Sequence, residues 1–129
     1  MNEKLALVAR ILFAVPFGAF GMAHMFHAQT MAGMLPAWVP GGAFWTYLTG
    51  LCLILACVAF VTKVQIKKAA ICMVALLLVF VFTLHIPAIK SGTNRQMAIM
   101  NLLKDISLIG GALTYTAIFY SDQKKTAKP

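Results

Sequence analysis

The sequence predicts an all-α integral membrane protein, a four-helix transmembrane bundle, and three observations carry that expectation. Of its 129 residues, 61% are hydrophobic and only 11% charged, against about a quarter charged in a soluble domain, and so small a domain cannot bury such an apolar excess. The apolar residues fall into four runs, 5–26, 43–62, 69–89 and 97–120, each near the roughly 20 residues needed to span a bilayer. The basic residues gather between and after these runs, as in cytoplasmic loops.

The first run, Leu5 to Phe26, is too long for a signal peptide and is interrupted by Arg10, so it reads as a retained helix. Pro16 should bend it, because proline removes a backbone donor and collides with the preceding turn. Ala14 and Gly18 fall on one face, where two backbones can approach closely. The connection His27 to Gly42 holds Pro36, Pro40, Gly33, Gly41 and Gly42 among Met31, Met34, Leu35 and Trp38, and is too broken to span. Its composition suits either an interfacial piece anchored by Trp38 and Trp45 or an ordinary loop. The second and third runs are joined by a short basic link with Lys63, Lys67 and Lys68. The fourth run carries a second small-residue pair, Ser107 and Gly111, and the polar, basic tail 121–129 should be disordered and drawn to anionic lipid.

Orientation follows from the basic residues. Lys4, then Lys63, Lys67 and Lys68, then Lys124, Lys125 and Lys128 fall on one side, against Lys90 and Arg95 on the other. Both termini should therefore be cytoplasmic. The net charge of +8 belongs to this pattern, not to nucleic-acid binding, which would need a basic stripe interleaved with exposed aromatics. Cys52, Cys57 and Cys72 lie in apolar runs and form no C-x-x-C pair, so disulfide exchange through a dithiol is excluded. No glycine-rich dinucleotide motif and no metal-ligand spacing is present.

Ionisable residues in hydrocarbon are costly, so each one in a span is a candidate functional group. In the expected topology His24, Thr46, Thr49, His85, Asn101, Lys104 and Asp105 all reach the outer part of the bilayer. Asn101 and Asp105, four residues apart, share a face, whereas Lys104 is rotated about 100° from Asp105 and should not pair with it along the helix. A carboxylate at this depth must take up a proton or find a cation, and His24 and His85 are the candidate partners. The competing reading is that these groups only fix helix register by interhelical hydrogen bonds. Arg10 reads as a lipid-facing charge that snorkels to phosphate, and His27 as water-facing. Two histidines on different helices can clamp haem iron, but His24 and His85 lie near the membrane surface and no second pair exists.

The runs Arg10-Ile-Leu-Phe-Ala-Val-Pro-Phe-Gly18, Gly21-Met-Ala-His24 and Leu35-Pro36-Ala-Trp38-Val-Pro40 resemble the opening of DoxX-family membrane proteins. The likeness continues through Thr49-Gly50, His85-Ile-Pro87, Asn101-Leu-Leu-Lys104-Asp105 and Gly110-Gly111-Ala112-Leu113. This resemblance, spanning about Leu5 to Ile118, implies a compact four-helix protein of the bacterial inner membrane. It also implies a link to quinone-linked oxidoreductases or to thiol and oxidative-stress systems, as a membrane subunit or anchor. Any flavin or metal chemistry would then sit in a partner, and the outer polar layer would hold a small acceptor such as a quinone head or relay protons. The alternatives are a non-catalytic interaction protein and a small proton-coupled carrier, which would need a homo-oligomer because four helices leave little room for a pathway.

Overall fold

Asn2 opens the first helix by accepting a hydrogen bond from the Lys4 backbone N–H at 3.0 Å, and Glu3 places a negative charge on the helix's positive end. From there α1 runs over Glu3–Phe26, passing through Pro16 without a break. The computed structural model describes residues 2–126. Its other elements are a single turn α2 (Ala28–Ala32), then α3 (Ala43–Thr62), α4 (Ile66–Phe80), a π turn (Val81–His85), α5 (Ile86–Ser91) and α6 (Arg95–Thr126). Four stretches are long and apolar enough to cross a membrane: Glu3–Phe26, Ala43–Thr62, the continuous helix Ile66–Ser91, and Arg95–Phe119. Four such helices are compatible with a multi-pass membrane protein. Helix α6 continues to Thr126, so the first residues of the expected disordered tail are helical. Residues 127–129 lie outside the described residues.

The chain divides into two compact units, Met1–Ala69 and Ala70–Pro129. In the first, α1 packs antiparallel on α3. A Cβ built on Gly21 would stand 2.7 Å from Ile54 Cγ1 and 2.8 Å from the Gly50 carbonyl, and one on Gly50 would meet the Gly21 carbonyl at 3.0 Å. The two backbones touch here, and only glycine fits on both sides. Gly18 rests on Cys57 one turn further along, and beyond it Phe13, Phe17 and Phe60 form an aromatic cluster with ring centroids 5.2–5.9 Å apart. Ala14, expected on the packing face, is fully buried there.

The connection from α1 to α3 folds as the turn α2 and a series of bends, closed by Trp45 Nε1 donating to the Pro40 carbonyl at 2.6 Å. Met34 and Trp38 stay exposed. At its far end α3 stops at Lys63, which with Gln65 adopts a left-handed conformation (φ 62° and 56°) and reverses the chain.

In the second unit the buried face of α4 carries Ala70, Met73 and Leu77, followed by Val81. Pro87 lacks an N–H, and its ring presses on the carbonyl four residues back, that of Thr83. The helix widens around that carbonyl: the Ile86 N–H reaches the Val81 carbonyl, five residues back, making the π turn. Thr83 Oγ1 also donates to the Val79 carbonyl at 2.6 Å. Gly92 (φ 76°) and Asn94 (φ 51°) then return the chain into α6, against which α5 and the π turn pack. Among the described residues of α6, Ala98, Asp105, Ala112 and Tyr115 are buried. Ser107, expected on a small-residue packing face with Gly111, is exposed. The seam follows the seven-residue spacing of Ala98, Asp105 and Ala112, which leaves Ser107 on the outer side.

Candidate functional site

The π turn aims a histidine. From Leu77 to His85 is eight residues, which on a regular helix overshoots two full turns by about 80°. The one extra residue held in a π turn absorbs about 100° of phase, so His85 returns close to the buried face that Leu77 occupies. Across the hairpin, Asp105 takes a seam position of α6 between Ala98 and Ala112, whose small side chains leave room beside it.

The result is a buried pair: His85 Nε2 lies 2.8 Å from Asp105 Oδ2. With Asp105 ionised, the ring Nε2–H donates and the carboxylate accepts. The Asp105 side chain is 2% exposed and that of His85 13%. The second carboxylate oxygen, Oδ1, lies 3.5 Å from Lys104 Nζ. Lys104 was expected to be turned away by its 100° rotation; its long flexible stem instead curls back to ion-pair distance while the side chain stays 45% exposed. Both carboxylate oxygens thus face a nitrogen. With Lys104 charged and Asp105 ionised, the trio carries one net positive charge when His85 is protonated and none when it is neutral.

Asp105 lies ten residues into the spanning stretch Arg95–Phe119, about 15 Å along the helix. That is near the mid-length of the stretch. Asn101, one turn earlier on the same face, is half-buried. His24 belongs to the first unit, where its Nδ1 donates to the Phe20 carbonyl of its own helix at 2.7 Å. Thr46 and Thr49 are buried in that unit, and His27 is exposed at the end of α1. Arg10 is half-buried, with its Nε enclosed by protein and without a hydrogen-bond partner, so it is lipid-facing only in part. Sequence reasoning missed the π turn and the Gly21–Gly50 crossing. The signals were present: a proline two residues after a histidine inside an apolar run, and glycines in both partner helices.

Comparison with known proteins adds a family and no activity. No curated protein and no solved structure matches the chain. A family model described as a domain of unknown function, DUF8561, matches residues 13–116, which takes in the second and third spanning stretches whole, the larger part of the first and fourth, and every residue of the His85–Asp105–Lys104 trio. The chain therefore belongs to the DUF8561 family.

Proposed function

We propose that this protein is a membrane subunit of a quinone-linked oxidoreductase and that its His85–Asp105 pair handles a proton for that reaction. In this reading it resides in the bacterial inner membrane with both termini cytoplasmic. The single observation that carries the reading is the 2.8 Å contact between a histidine and a 2%-exposed carboxylate on a membrane-spanning hairpin. Intramembrane ionisable pairs mark proton relays and ligand sites, and π turns recur at functional positions. The resemblance to DoxX proteins at His85-Ile-Pro87 and Asn101 to Asp105 supports the link to a quinone-reducing partner.

The chemistry asked of the chain is modest. A quinone head becomes a quinol by taking up two electrons and two protons, and the electrons would come from the partner's redox centre. With its Nε2–H held by Asp105, the His85 imidazolium would pass one proton from Nδ1, Asp105 would orient the ring and balance its charge, and the second proton would come from water. The test is quinone reduction by the complex in membrane vesicles. His85→Gln and Asp105→Asn at undiminished protein level should lower the rate at least about tenfold, as expected for loss of a general acid. Undiminished quinone reduction when this chain is absent would sink the proposal.

A second reading is favoured by the seam itself. Asp105 occupies a packing position between two alanines, as a polar residue that only specifies helix register would. The protein would then be a non-catalytic membrane interaction component. Under it, replacing His85 and Asp105 together by neutral residues of similar size restores both folding and function; under the first reading folding returns and quinone reduction does not.

A further inference from the structure

Several polar side chains of the apolar helices are satisfied within the fold. Thr62, Thr83 and Thr116 each donate to the carbonyl four residues back, His24 donates to the Phe20 carbonyl, and His85 Nε2 is held by Asp105. Asn101 departs from this pattern. It lies six residues into the stretch Arg95–Phe119, and its amide has no hydrogen-bond partner among the described residues. An amide carries two N–H donors and a carbonyl acceptor, and leaving them unpaired in an apolar run is costly. Neither polar atom is sealed in. Asn101 is only half-buried, and the enclosed, unpartnered polar atom among the described residues is Arg10 Nε. A molecule from outside the fold can therefore reach the amide.

The second nitrogen of His85 is open in the same way: Nδ1 has no partner among the described residues, and the side chain keeps 13% exposure. Asn101 lies one helical turn from Asp105 on the same face, so the two open groups are neighbours along the α5–α6 seam. The antiparallel register set by His85 and Asp105 brings Asn101 level with Ala88 and Ile89, and neither side chain can hydrogen-bond. One turn before Asn101, Met97 lines an open groove with Met100, about 490 Å³ in volume, a size that suits a small organic ligand. Thioether side chains adapt readily to a flat ring.

We infer that the Asn101 amide binds a ring oxygen of the quinone beside His85 Nδ1, with the ring against Met97 and Met100; this rests on the quinone reading given above. The amide suits both redox states of such a ligand. Its NH₂ donates to the carbonyl of the quinone, and its C=O accepts from the hydroxyl of the quinol. His85 matches it, donating from Nδ1 as the imidazolium and accepting there once the proton has left. Asn101 is thus the residue that keeps hold of the oxygen while its protonation changes.

The experiment is anaerobic calorimetric titration of the full-length protein in a non-ionic detergent with decylubiquinone, decylubiquinol and the dimethyl ether of that quinol. Asn101→Leu should weaken both the quinone and the quinol about five- to tenfold, the worth of one hydrogen bond. The ether should change by less than about twofold, because its methylated oxygens cannot donate and accept only weakly. Equal losses for all three ligands, as a purely structural role gives, overturn the inference. Unchanged affinity for the quinone removes Asn101 from the site and leaves the quinone reading standing, whereas a folded parent that binds neither quinone nor quinol overturns that reading and this inference together. Should Asn101→Leu not purify folded, the parent labelled with ¹⁵N-asparagine decides, since the chain has three asparagines, Asn2, Asn94 and Asn101. Decylubiquinone should move the side-chain amide signal of Asn101 and leave that of Asn2 in place, and an unmoved Asn101 signal at saturating quinone overturns the inference.

Discussion

Asp105 is the side chain on which the second unit depends most. If it is ionised against a protonated His85, Asp105→Asn strands a buried cation and should cost on the order of 3–5 kcal/mol. If the two share only a neutral hydrogen bond, the loss in a membrane should be nearer 0.6–2 kcal/mol. Reversible unfolding in mixed micelles distinguishes the two magnitudes, and the ionic form predicts the larger. The double replacement His85→Gln with Asp105→Asn should recover most of that loss, because the site is then free of the charge that needed a partner. Lys104→Gln is the control: its contact is longer and nearly half-exposed, so a loss of about 1 kcal/mol or less is expected. A larger loss from Lys104→Gln than from Asp105→Asn would make Lys104 the group that governs the site. From the sequence, His85 was one of two candidate partners for Asp105, with His24, because a carboxylate in an apolar run must be neutralised by something at its own level; the structure pairs it with His85. The role of Lys104 was hidden, since a helical wheel fixes where a Cβ points and not where a four-carbon chain ends.

Among the helices, close packing and phase make separable predictions. Gly21→Ala puts a methyl group 2.7 Å from Ile54 and 2.8 Å from a backbone carbonyl, so α1 and α3 must part, at a cost of about 1–3 kcal/mol. Gly110→Ala meets nothing within 4 Å, and in an exposed helical position should be neutral or stabilise by up to about 1 kcal/mol. Comparing the two variants' thermal midpoints in detergent checks this, and equal losses would refute the helix crossing. The π turn is tested by Pro87→Ala, which removes its cause and keeps every residue. Restoring a regular helix in this way should rotate His85 about 100° away from its seam position, and the variant should lose as much stability as Asp105→Asn although both members of the pair remain. The spanning helices were readable in the sequence because hydrophobic length is a property of the whole run and tolerates errors of a residue or two. The π turn was not, because it arises from the conflict between Pro87 and one carbonyl. Nor was the buried face of α6: Ser107 and Gly111 are small enough to pack, but the residues that do pack are set by the partner helix.

For the molecule as a whole, orientation is the first quantity to measure. A reporter active only in the cytoplasm should work when fused after Pro129 and fail when inserted near Ser91; the reverse result would invert the topology on which the proposed function rests. The division of the chain near Ala69 also bears on biogenesis. The first hairpin carries its own crossing, Gly21 on Gly50, and so has what it needs to form while the rest is still being synthesised. The carboxylate at position 105 emerges last, directly after a basic neighbour and twenty residues behind His85. Its counter-groups have therefore already been made when it reaches the insertion machinery, and the most expensive residue in the protein is never offered to lipid alone. A chain that loses the third span would present that carboxylate without His85 and with only the half-exposed Lys104 beside it, and such a fragment should be extracted and degraded while a fragment ending at Ala69 persists.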